Sequence, residues 1–123
     1  MAEIETEALE QARSWLAEHR QQLRDASIKE IHVEYSGSGD EESVEEIRCY
    51  SVEDADRWSA EETLVECDRA NISLAPLEVL EPLYYADGDG GSGVVKLQVE
   101  TGKIILCHSV VVSETVALAP VEY

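Results

Sequence analysis

A chain of 123 residues is about one domain long, and 44% hydrophobic residues suffice for a packed core. Against 9 Lys and Arg stand 27 Asp and Glu, a formal net charge of −18, which argues against a direct grip on nucleic-acid phosphates because that grip depends on clustered cations. No apolar run approaches the roughly 20 residues that span a bilayer, and MAEIETEALEQ has neither the basic leader nor the apolar stretch of a secretory signal, so a soluble, cytoplasmic single domain over 1–123 is expected.

Residues 3–24 predict one amphipathic helix. Ile4, Leu9, Ala12, Leu16, His19 and Leu23 recur at three- and four-residue steps, with Trp15 beside that stripe. Glu3, Glu5 and Glu7 crowd its start and Arg20 and Arg24 its end, which suits the helix dipole. Residues 29–36, KEIHVEYS, then alternate: Ile31, Val33 and Tyr35 point one way, Glu30, His32 and Glu34 the other. That pattern predicts a half-buried strand with a wet outer face. After the loop SGSGDEES, Val44, Ile47 and Cys49 suggest a second strand, antiparallel to the first.

Residues 51–75 carry a divided signal. Ser59 with Glu62 makes a capping box that favours a helix from Ala60, whereas TLVEC and NISL would serve as a short strand pair. The balance tips to the strand pair. Pro76 opens the next segment and Pro82 limits it to a short helix. From Gly93, GVVKLQVE alternates with Val95, Leu97 and Val99 on one face, Thr101-Gly102 supplies a turn, and residues 103–118 read as a long returning strand. The whole predicts α+β: an N-terminal helix on a mostly antiparallel sheet with a C-terminal β-hairpin. The returning strand is apolar on both faces, with Ile104, Leu106, Val110 and Val112 on one and Ile105, Cys107 and Val111 on the other. Such a strand lies mid-sheet, or at an edge covered by a helix or by another subunit; one helix gives too little cover for both faces, so a homodimer is expected.

Few motifs carry chemistry. Gly88, Gly90 and Gly93 satisfy G-x-G-x-x-G but precede a strand, and Asp87 and Asp89 would repel a pyrophosphate. The same residues begin like a calcium loop, yet Ser92 and Gln98 stand where glycine and a bidentate glutamate belong. A nucleophile elbow around Ser92 fails at Val94. Cys49, Cys67 and Cys107 are too widely spaced for a zinc ribbon and read as free thiols. His108 follows Cys107, but neighbours on a strand face opposite ways. No catalytic residue is assigned, and no cofactor beyond a weak divalent cation at Asp87 and Asp89, which Asp40 would join if the two glycine loops lie together.

Charge is the strongest clue. Residues 40–68 hold twelve acids against Arg48 and Arg57, a local charge of −10. Such a patch attracts basic protein surfaces, including those of nucleic-acid-binding proteins; the plainer alternative is that acidity serves solubility. The expected function is therefore a non-catalytic interaction protein, in its sharpest form a nucleic-acid mimic. Its partner-binding face would hold Asp40, Glu41, Glu42, Glu45, Glu46, Glu53 and Asp54. The alternative is a small-ligand or cation-binding domain that uses the glycine–aspartate loops, and an undetected hydrolase ranks third.

Tyr35-Ser-Gly-Ser-Gly-Asp40, followed by Val44, Glu45, Glu46 and Ile47, and the later Asp87-Gly-Asp-Gly-Gly-Ser-Gly93 leading into Val-Val-Lys-Leu, resemble a family of small acidic proteins of bacteria, phages and mobile elements. That family is known only as a domain of unknown function. The resemblance covers about half the chain. Glu41-Glu42-Ser43 departs from the small residue and glycine usual there, and Tyr84-Tyr85 stands where a Trp is usual. It implies the same fold and a mobile-element origin, and no catalytic residue.

Overall fold

The computed structural model describes residues 4–38, 41–53, 61–82, 91–111, 115–117 and 120–123. The N-terminal stripe forms α1, Thr6–Asp25, which buries Ala8, Leu9, Ala12, Trp15, Leu16 and Leu23. Its end is a Schellman turn. Ser27 takes the left-handed conformation at φ 63°, its N–H bonds Arg24 O, and Ile28 N–H reaches back to Leu23 O at 2.9 Å. Ile28 and Leu23, the apolar pair that accompanies such turns, are both buried.

The chain then enters a seven-stranded antiparallel sheet. Its strands are β1 (Glu30–Ser38), β2 (Glu41–Tyr50), β3 (Leu64–Val65), β4 (Gly91–Gln98), β5 (Ile104–Val111), β6 (Thr115–Ala117) and β7 (Val121–Glu122). The order across the sheet is β3-β2-β1-β4-β5-β6, and β7 also pairs with β5. This is the α+β architecture that the alternation predicts. Ile31, Val33, Val95, Leu97, Ile104 and Leu106 form the inner face and join the buried side of α1 in one core. Fully burying each such side chain contributes about 1.5–3 kcal/mol. Arg24 fixes the helix to the β4–β5 hairpin through two 2.8 Å hydrogen bonds to Glu100, and Arg20 Nε donates to Val99 O at 3.0 Å. No described helix is long and apolar enough to cross a membrane.

Three expectations change. The strand pair in the middle shrinks to β3, whose two residues pair with Cys49 and Tyr50. Residues 61–63, 67–70 and 75–80 are 3-10 turns, and NISL is not a strand. The capping-box serine, Ser59, and the expected helix start at Ala60 lie outside the described residues. The last 3-10 turn, Ala75–Leu80, has Pro76 in its first positions and stops before Pro82, with Leu77 and Leu80 buried against the core. The long C-terminal strand breaks in two: Val111 pairs with Thr115, so the chain has already reversed there. β5 consequently has neighbours on both sides, β4 on one and β6 and β7 on the other, and lies within the sheet.

The third change is the outer face of β1, expected to be wet. Glu30 is 0% and His32 3% exposed. His32 Nε2 lies 2.5 Å from Glu30 Oε1, and the Tyr50 ring lies 4.5 Å from the imidazole between ring centroids. The Glu30 carboxyl and the His32 imidazole bond each other, so burial does not leave these two polar atoms unpaired. Alternation alone does not separate that arrangement from a solvated face.

Candidate functional site

The expected acidic face and the first glycine segment adjoin in the sheet, where Glu42 pairs with Gly37 and Glu41 with Ser38. Glu45 and Glu46 on β2 are exposed, as is Glu53 in the turn that follows it. Glu41 and Glu42 lie on the same strand, their side chains outside the described set, and Asp40 and Asp54 lie outside the described residues. Glu62 and Glu66 flank β3 and are also exposed. Because β3 pairs with the end of β2, these carboxylates share one side of the sheet. Arg48 sits among them. Its Nε is 3.0 Å from Glu46 Oε2 and 2.9 Å from Glu34 Oε2; the hydrogen is directed at Glu46, so the Glu34 contact is ionic. The bond to Glu46 and the charge of Glu34 push the Arg48 pKa upwards.

A β-bulge sets the direction of Glu45. Glu34 pairs with Glu46 and Tyr35 with Val44, which leaves Glu45 as the extra residue. An extra residue lets Val44 and Ile47, three apart, both pack on the core. It also turns Glu45 to the outer face beside Glu46, where the Ser36 hydroxyl donates to its Oε1.

The two glycine segments converge. Gly37 pairs with Gly91, Ser36 with Ser92 and Tyr35 with Gly93, so the end of β1 and the start of β4 lie side by side. Asp87 and Asp89, the proposed cation ligands, lie outside the described residues. Among the described residues no group of three or more His, Cys, Asp and Glu is placed to hold a metal ion. On the next strand His108 lies opposite Gly93. The missing side chain lets the Tyr35 ring cross to His108, where the phenol oxygen is 2.6 Å from Nδ1. The rings are near-parallel at 13°, and both residues are buried. Burial lowers the His108 pKa, which favours a neutral imidazole; in its Nε2–H tautomer the phenol donates to Nδ1. Sequence reasoning missed this pair because its members are 73 residues apart.

A cleft of about 750 Å³ opens at this end of the sheet, bordered by Glu34, Glu45, Ser36, Ser92, Ser109 and Cys107 among others. Burial pushes the Cys107 thiol pKa up, with Lys96 acting in the opposite direction. The upward shift favours the protonated thiol, the less nucleophilic form, and His108 Nδ1 is bonded to the Tyr35 hydroxyl. Cys49 and Cys107 are free; the Cys67 side chain is outside the described set. Comparison with known proteins finds no matching family model, no similar curated protein and no similar solved structure.

Proposed function

We propose that this chain is a non-catalytic interaction protein that docks the β2–β3 side of its sheet on a basic protein surface. The observation that carries the reading is the run of exposed carboxylates, Glu45, Glu46, Glu53, Glu62 and Glu66, along that side. Arg48, which lies among them, is already engaged by Glu34 and Glu46. A concentrated field of one sign steers an oppositely charged partner and discriminates against acidic ones. In its sharpest form the partner is a nucleic-acid-binding protein, whose phosphate-binding cations these carboxylates would occupy.

The test begins with capture of partners from a host lysate, followed by affinity measurements on the purified pair. Binding weakens steeply as salt rises through physiological strength, because exposed charges are screened over about 8 Å there. Replacing Glu41, Glu42, Glu45 and Glu46 by Gln weakens it further without lowering the urea midpoint of the domain, and duplex DNA competes with the protein for the partner. Affinity indifferent to both salt and these substitutions rules out electrostatic docking.

A further inference from the structure

We propose that the cleft at the glycine-bearing end of the sheet is a binding site for an alkylammonium group. Ser36, Ser92 and Ser109 lie directly opposite one another across β1, β4 and β5. Their hydroxyls therefore share the outer face at the strand spacing of about 4.8 Å. At the β2 end of this row Glu45, turned outward by the bulge, accepts the Ser36 hydroxyl. Glu34 and Cys107 occupy the next row of the same face, on either side of Val94. Bulges recur beside functional sites because they re-aim a side chain in this way. The site is distinct from the docking edge and does not depend on it, although Glu45 borders both.

The lining selects the ligand. Among the described residues, two carboxylates border the cleft and no lysine or arginine does, a lining that disfavours phosphates and carboxylic acids. A guanidinium prefers a carboxylate with both oxygens available for a bidentate pair. Here Glu45 shares one oxygen with Ser36, and Glu34 is held by Arg48. An ammonium needs only three acceptors around one nitrogen, which a carboxylate oxygen and two serine hydroxyls supply. Val94 and Pro120 give apolar contact for the attached carbon chain.

Two sources carry this chemistry, a free polyamine and a lysine side chain. Nuclear magnetic resonance titrations with spermidine and with a short peptide containing one lysine, at physiological ionic strength, distinguish them. The expected result is saturable shifts of the Ser36, Ser92, Val94 and Ser109 amides for at least one probe. Binding by spermidine alone assigns the free amine, and binding by the peptide assigns lysine. Ser92→Val and Glu45→Gln each weaken it about tenfold, which is about 1.4 kcal/mol, whereas Glu10→Gln, the same charge change on the exposed face of α1, leaves it within about twofold. Shifts that fail to saturate with either probe, or equal weakening by Glu10→Gln and Glu45→Gln, mean diffuse counter-ion association and overturn the site. Neither outcome bears on docking, which Glu46→Gln reads without touching the cleft.

Discussion

Gly93 is where the sheet has no room for one more carbon. A Cβ built there would lie 2.2 Å from the Cys107 carbonyl oxygen and 2.6 Å from the Tyr35 hydroxyl. The carbonyl belongs to the backbone of β5 and cannot rotate aside. Either β4 and β5 part locally or the Tyr35–His108 bond breaks, so Gly93→Ala is expected to cost about 3 kcal/mol, the upper part of the usual overpacking range. Urea denaturation followed by circular dichroism measures it. Tyr35→Phe, which removes only the hydroxyl bond, costs nearer 1 kcal/mol. It does not rescue Gly93→Ala, because the carbonyl contact remains. A Gly93→Ala midpoint equal to the parent's would show that β4 and β5 yield freely here, and that the Tyr35 ring does not depend on a side-chain-free position.

At the level of elements, α1 ends on a residue that is poorly suited to its backbone. The Schellman turn places Ser27 at φ 63°, where an L-residue pays about 1–2 kcal/mol and glycine pays little. Glycine's greater freedom in the unfolded chain returns part of that difference, roughly 0.5–1 kcal/mol. Ser27→Gly is therefore expected to stabilise the domain by about 0.5–1 kcal/mol, read as a rise in urea midpoint at unchanged slope. A loss of stability would mean that the Ser27 side chain contributes more than the turn strains. A helix end just after Arg24 was legible; that Ser27 adopts the left-handed turn was not. The strands divide in the same way. Ile31, Val33 and Val95, Leu97 alternate and were legible; β2 was legible as a strand antiparallel to β1 but not in its register, because Glu45 interrupts its period and reverses the phase between Val44 and Ile47. Middle segment 61–80 resisted it because short 3-10 turns and a two-residue strand have too few residues to show any period.

Over the whole molecule, the acidic side of the candidate site was legible because charge is read from composition, while the cleft was not. The serine row needs the register of three strands drawn from residues 36, 92 and 109, and no local pattern encodes a register that long in sequence. Charge also sets how the fold responds to its medium. The chain folds against a net −18, and exposed Glu45, Glu46, Glu53, Glu62 and Glu66 repel one another across the β2–β3 side. Opposing this are surface ion pairs such as Arg24–Glu100 and Lys103–Glu122, which salt also screens and which contribute little at so exposed a surface. With three acids for every base, repulsion outweighs attraction. Raising sodium chloride from about 10 mM to 150 mM shortens the screening length from about 30 Å to 8 Å, and is expected to stabilise the fold by about 1 kcal/mol, a rise of several degrees in Tm for a domain of this size. Replacing Glu45, Glu46 and Glu53 together by Gln removes part of the repelling set, so that variant should be more stable than the parent at 10 mM salt and show a smaller rise. Thermal unfolding followed by circular dichroism at the two salt concentrations decides the matter. A Tm that stays level or falls with salt in the parent would mean that the ion pairs, rather than the excess of carboxylates, govern the electrostatics of the folded state.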